Sequence, residues 1–346
     1  MRPTLIVVTP YLAGANNGNW RTASRWARLL APRWRVILQA ADQPVTGGAR
    51  DRAVALIALH ARRSRAAVAA WASRRPDDAL VVALTGTDLY RDIPEGDADA
   101  LASIAQADRL IVLQDDALRH LDPADRAKAT VVVQSARRLA PPARKRSDRL
   151  AALLVAHLRD EKDPRTALAA WRLLPPDVPA TLTLIGAALD PSIGADVIAA
   201  AGGDPRVRWL GARPHAWTRQ AIKRAHLLIV PSRMEGGANV VVEACRSGTP
   251  VLASRASGNV GLLGDDYCGY FDVGDAGGLA RAVRRAVDDP AWLESLRRSC
   301  VQRARRMTPA AEAASLERAI RAAIREAKAR MRDSTRSGAT RTRKRR

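Results

Sequence analysis

Short apolar runs alternate with helical stretches along most of the 346 residues, and that rhythm restricts the chain to parallel-sheet α/β architectures. The first run, Thr4 to Thr9 (TLIVVT), has no polar face and ends at Pro10, as expected of a strand covered on both sides. A loop bearing glycines, AGANNGN, leads into Trp20 to Leu30, where Trp20, Ala23, Ala27 and Leu30 recur at helical spacing. RVILQA then supplies a second strand and completes a βαβ unit. Helices predicted over Asp51–Ser64 and Arg65–Ala72, a strand over Leu80–Thr85, a helix over Ala98–Gln106 and strands over Arg109–Leu113 and Thr130–Gln134 continue the pattern.

The stretch PPARKRSDR (141–149) interrupts it, paired in proline and without apolar period, and is predicted to be a linker. The rhythm restarts with strands Leu150–Ala156, Thr181–Ile185, Val207–Leu210, Leu227–Pro231 and Val251–Ala253. Helices Pro164–Leu174, Ser192–Ala201, Trp217–Arg224 and Asn239–Ser247 lie between them. Helices from Ala276 to Lys328 close the chain. The expected architecture is α/β, with two Rossmann-like doubly wound domains: an N-terminal domain 1–140, a linker 141–149, a C-terminal domain 150–327 and a disordered basic tail 328–346. Open parallel sheets bind ligands at the carboxyl ends of their strands, so the site is expected where two such domains face each other.

A net charge of +22 raises the question of nucleic acid, but the distribution answers against it. Nine basic groups and one acidic group fall in the last nineteen residues, and the remaining arginines are spread over predicted helix faces. Three cysteines, Cys245, Cys268 and Cys300, exclude a disulfide framework and fit a reducing compartment. The N-terminus lacks a secretory pattern and no run of about 18 apolar residues occurs, so a soluble cytoplasmic protein is expected.

The densest chemistry is in Val230 to Ser254, VPSRMEGGANVVVEACRSGTPVLAS: strand, glycine loop, helix, turn, strand. Gly236 and Gly237 let backbone N–H groups approach an anion, and the helix starting near Asn239 points its positive end at it. With Glu235 and Glu243 eight residues apart, the segment resembles the E-x7-E donor site of retaining GT-B glycosyltransferases of the family 4 type. The resemblance implies that Glu235 contacts the donor sugar or shapes the reacting centre. It also implies that Glu243 binds the nucleotide ribose and that Gly236, Gly237, Ala238, Asn239 and Val240 cradle the diphosphate.

A second block, VAHLRDEKDPRTALAA (155–170), resembles that family's diphosphate-holding segment. Lys162 falls on its lysine, while His157 replaces its usual arginine and Arg159 offers a substitute. In the N-terminal half, PYLAGANNGNWRTASR (10–25) occupies the place of the GT-B glycine loop, making Gly18 and Asn19 anion-binding candidates. Asp88, in LTGTDLYRDI, follows a strand, and His60, in LHARRS, offers a proton donor beside Arg62 and Arg63.

These elements, with LQDDAL, VVVQSA, AHLRDEKDP and PSRMEGGANV, resemble the selenosugar synthases of selenoneine biosynthesis over most of residues 4–275. That resemblance implies a UDP-sugar donor, UDP-N-acetylglucosamine, and selenophosphate as acceptor, with a carbon–selenium bond formed and no metal or other cofactor. Other enzymes of that pathway are implied partners; specific nucleic acid and integral membrane contact are not. A small anionic acceptor calls for a positive pocket, for which Arg21, Arg62, Arg63 and Arg233 are candidates. Asp97 and Asp99 spell D-x-D but sit at a predicted helix start, where acids favour the dipole. An oxygen acceptor on a lipid-linked or cell-surface glycan is the alternative within enzymes, and a nucleic-acid-associated module using the basic tail is the alternative outside them.

Overall fold

The computed structural model describes residues 2–12, 18–140, 143, 145 and 148–343. The expected glycine loop therefore lies partly outside the described residues, as does most of the expected linker. The chain forms two compact units, unit 1 from 1–133 with 309–346 and unit 2 from 134–308.

Unit 1 is a six-stranded parallel sheet in the order β2-β1-β3-β4-β5-β6, where β1 is Thr4–Thr9, β2 Arg35–Ala40, β3 Ala53–Leu59, β4 Ala79–Ala83, β5 Arg109–Val112 and β6 Ala129–Val131. Successive residues of each strand feed opposite faces: Ile6, Val8, Leu56, Val82 and Leu110 pack with Trp71 and Ile104, while Leu5, Val7, Ile57, Val81 and Ile111 pack with Trp26 and Leu30. Helices α1 (Gly18–Leu30), α2 (Arg65–Arg74), α3 (Ala98–Gln106) and the short α4 (Pro123–Ala127) cover the two faces. Both faces being buried is why the strands read as unbroken apolar runs.

Three expectations are corrected here. Residues 51–64 are not a helix: AVALIAL is the central strand β3, paired with β1 and β4. Its alanines and leucines carry no period of two, and only burial on both faces makes it a strand. The closing helices do not all belong to the second domain. Helix α12 (Pro309–Arg343) is part of unit 1, where Leu316, Ala319, Ile320, Ala323 and Ala327 complete the core beside Trp26. The tail is not irregular from 328, because α12 continues to Arg343; extending a formed helix adds a bond for each residue fixed.

Unit 2 carries a second six-stranded parallel sheet in the order β12-β11-β10-β7-β8-β9. Its strands are β7 Leu150–Val155, β8 Ala180–Ile185, β9 Val207–Trp209, β10 Leu227–Val230, β11 Val251–Ser254 and β12 Tyr270–Phe271. Helices α5 (Pro164–Leu173), α6 (Pro191–Gly203), α7 (His215–Arg224), α8 (Asn239–Ser247), α9 (Ser257–Leu263), α10 (Ala276–Asp288) and α11 (Pro290–Arg303) complete it. The unit begins before the expected linker, since the Ala136 and Arg137 carbonyls accept bonds from Arg246 and Arg219. The strand order reverses between β7 and β10 in unit 2 and between β1 and β3 in unit 1, and such reversals open a crevice beyond the strand ends.

Candidate functional sites

In unit 2 the segments leaving β7 and β10 meet at the reversal. Lys162 ends a single 3-10 turn after β7, and its Nζ donates to Glu235 Oε1 at 2.7 Å. Ser232 Oγ donates to the same oxygen at 2.7 Å, and Ser254 Oγ donates to the Ser232 carbonyl at 2.5 Å. Glu235 is 7% exposed, a burial a carboxylate tolerates only when paired. The backbone fixes this pairing, because Arg233 N–H donates to the Glu161 carbonyl at 2.9 Å and so locks the two segments together. Gly258 at the start of α9 lies against Glu235, and a Cβ there would stand 1.8 Å from the Glu235 carbonyl oxygen.

Gly236 and Gly237 then open into α8, whose N-cap is Ala238. Asp163 caps α5 by accepting from Thr166, whereas Ala238 has no side chain that can accept, and α8 has no acid in its first turn. Backbone N–H groups at Asn239 and Val240 thus begin a helix without a built-in anion, a geometry suited to a bound one. Glu243, one turn further, is buried, and His215 Nε2 donates to its Oε1 at 2.6 Å.

The basic candidates divide. His157 Nδ1 accepts from Ala187 N–H at 3.2 Å, which puts the ring proton of the neutral form on Nε2. Arg159 is exposed and pairs with Glu161 at 3.6 Å, and Arg233 is exposed and pairs with Asp163 at 3.2 Å, so neither joins the Lys162–Glu235 contact.

In unit 1 the segment after β3 carries His60 in the left-handed region, with φ 71°. A bulky residue there is strained, and the strain turns a fully buried ring toward the chain after β4. His60 Nδ1 lies 2.6 Å from Asp88 Oδ1, while Asp88 Oδ2 accepts from Thr85 N–H at 2.7 Å and Thr85 Oγ1 at 2.9 Å. Asp88 has no exposed surface, so it orients His60 instead of meeting a ligand itself. It opens a π turn, Asp88–Asp92, and Asp92 stands 3.3 Å from Arg62 Nε. Arg62 also approaches Asp97 at 3.8 Å, and exposed Arg63 stacks over the Tyr11 ring and donates to its hydroxyl. Gly18 and Asn19 begin α1, and Arg21 is half-buried on its first turns.

Asp97 caps α3 by accepting from Ala100 N–H at 2.9 Å, and Asp99 is exposed in its first turn. His60, Asp88 and Asp92 bring three ligand-type atoms within 4.8 Å of one another, a grouping absent from the sequence reading because it joins two loops. Arg62 and Arg91 already stand beside Asp92, which offsets its charge without a metal ion. Ser232 and Gly258 carry no signal in the sequence that sets them apart, though Ser232 lies inside the recognised motif; His215 is legible there only as a possible loop contributor.

Residues 137–307 match the family described as glycosyl transferases group 1. D-inositol 3-phosphate glycosyltransferase 1 of Catenulispora acidiphila is 36% identical over 92 residues, 26% of this chain and 22% of that protein. The chain thus aligns with about a quarter or less of the length of the curated relatives it matches. Among solved structures, Anabaena HepE in complex with UDP superposes with a TM-score of 0.75 at 16% identity, covering 92% of this chain and 99% of that one. Sucrose-phosphate synthase of Thermosynechococcus elongatus superposes with a TM-score of 0.72 at 17% identity, covering 92% and 98%. These likenesses give the chain the GT-B fold that its motifs imply.

Proposed function

We propose that the protein, whose residues 137–307 match the group 1 glycosyl transferases, transfers a sugar from a UDP-sugar, with donor contacts in unit 2 and acceptor contacts in unit 1. The observation that carries this is the Lys162–Glu235 contact at the mouth of a glycine loop and an uncapped helix. A diphosphate there receives the Lys162 ammonium and the Asn239 and Val240 N–H groups, which offset charge building on the departing UDP. The sugar lies toward Glu235 and the ribose toward Glu243. HepE, whose fold this chain shares, has been solved with UDP and with UDP-glucose, which supports a uridine donor.

For the acceptor we carry forward selenophosphate, with N-acetylglucosamine as the sugar. The support is the likeness of LHARRS, LTGTDLYRDI and AHLRDEKDP to selenosugar synthases, together with Arg62 and Arg63 in the segment that places His60 against Asp88. Selenium attacks the anomeric carbon, the carbon–oxygen bond to UDP breaks with its electron pair leaving on UDP, and water then cleaves the selenium–phosphorus bond to release phosphate. Incubation with UDP-N-acetylglucosamine and selenophosphate, followed by mass spectrometry, tests this. A product with the selenium isotope pattern and equimolar UDP supports it; UDP-sugar binding without that product replaces selenophosphate with an oxygen acceptor.

A further inference from the structure

We propose that His215 is the positioning residue for Glu243 and thereby sets how tightly the protein holds the ribose of its nucleotide. The inference rests on the nucleotide-sugar reading above and assigns a role to a residue outside the family motif.

Glu243 lies one turn into α8, its side chain 10% exposed. A carboxylate at that depth needs a hydrogen-bond donor to offset its lost hydration and to keep one orientation. Of the described hydrogen bonds, the one reaching it comes from His215 Nε2 at 2.6 Å. Two other cations on these helices are committed elsewhere: Arg219 of α7 donates to the Arg137 carbonyl, and Arg246 of α8 to the Ala136 and Ala304 carbonyls.

His215 is itself well placed to orient. It is the first residue of α7, directly after Pro214, whose carbonyl accepts both the N–H and the hydroxyl of Thr218, at 3.0 and 3.2 Å. The far end of α7 is tied to the turn after α8, where Thr249 Oγ1 donates to the Ile222 carbonyl at 2.8 Å. The two helices are therefore held in fixed relation within unit 2, and the imidazole bridges from the start of one to the carboxylate on the other. One face of the His215 side chain remains in solvent, 42% exposed, as a residue at the edge of a ligand site must be. With Oε1 taken by His215, Oε2 of Glu243 is directed to the ribose hydroxyls. Without the imidazole the carboxylate turns freely about its last torsion, and ordering it on each binding event costs affinity.

Isothermal titration with UDP and with 2′,3′-dideoxy-UDP tests the role, using the full chain and the variants His215→Ala, His215→Gln, Glu243→Ala and the double His215→Ala/Glu243→Ala. The expected result is that His215→Ala weakens UDP about tenfold, in keeping with loss of one charge-assisted bond. His215→Gln, which retains a side-chain N–H donor, restores most of it, and the double variant binds no more weakly than Glu243→Ala alone. The dideoxy nucleotide, which lacks the hydroxyls, is insensitive to His215→Ala. UDP affinity unchanged or tightened in His215→Ala, equal losses for both nucleotides, or additive losses in the double variant overturn the inference while leaving the donor site in place. Absence of UDP binding by the unsubstituted chain overturns both this inference and the donor reading.

Discussion

Lys162 Nζ stands 2.7 Å from Glu235 Oε1, so a cation after β7 and a carboxylate after β10 meet where the strand order of unit 2 reverses. Each is the other's neutralising partner, and the Arg233 to Glu161 backbone bond keeps the pair in register.

Lys162→Ala is expected to lower turnover of the UDP-sugar by about 10²–10³-fold, the usual consequence of removing one stabiliser of leaving-group charge. Steady-state kinetics alongside circular dichroism checks this. A folded variant within twofold of the parent removes Lys162 from the chemistry.

Gly258→Ala forces a methyl group to within 1.8 Å of the Glu235 carbonyl oxygen, and backbone must move to admit it. The expected outcome is a loss of about 1–3 kcal/mol of stability from overpacking, with turnover falling more than tenfold as Glu235 shifts. Thermal melts and initial rates read the two effects separately; an unaltered rate shows that Glu235 tolerates displacement.

Asp88→Asn replaces the carboxylate facing His60 Nδ1 by an amide and removes the negative charge beside the ring. Turnover is expected to fall by about 10²-fold or more while UDP affinity, which the proposal places in unit 2, changes less than twofold. Titration calorimetry and kinetics on the same preparation decide it, and a parallel loss of UDP affinity contradicts the assignment of Asp88 to the acceptor side.

How much of this was legible in the sequence depends on how local the determinant is. The donor motif was readable because Glu235, Gly236, Gly237 and Glu243 are spaced by one loop and one helix, so linear order dictates their geometry. β3 was misread because an alanine- and leucine-rich run has the same appearance in a buried helix and in a strand covered on both faces. The membership of α12 in unit 1 depends on Glu312 meeting Arg25 and Trp26, partners nearly three hundred residues away. The His60–Asp88 and His215–Glu243 contacts were hidden for the same reason: each joins residues 28 apart whose nearness follows from the strand order. Net charge was the least informative feature, since much of the arginine excess is spent on ion pairs and helix faces.

Glu312 is 1% exposed, and it accepts from Arg25 Nε at 2.9 Å and from Trp26 Nε1 at 2.8 Å, joining α12 to α1. Glu312→Ala leaves a buried guanidinium and indole N–H without that acceptor and is expected to cost about 3 kcal/mol. Urea unfolding monitored by tryptophan fluorescence measures it, and a midpoint unchanged from the parent denies the helix its role in holding unit 1 together.

The hydrogen bond that Cys245 donates to Cys300, together with burial, holds the Cys245 thiol well above its ordinary range, whereas Cys268 is exposed. An aromatic disulfide reagent at pH 8 is expected to titrate one thiol in the native protein and three in denaturant. Three thiols reacting at once in the native protein contradicts the packing of α8 on α11.

The most direct test of the account is the mass-spectrometric product assay with UDP-N-acetylglucosamine and selenophosphate, run against controls lacking each substrate and against Lys162→Ala. The account predicts a selenium-bearing sugar formed with one UDP per product and suppressed in the variant. UDP-N-acetylglucosamine left intact in every reaction, with no UDP released, contradicts it.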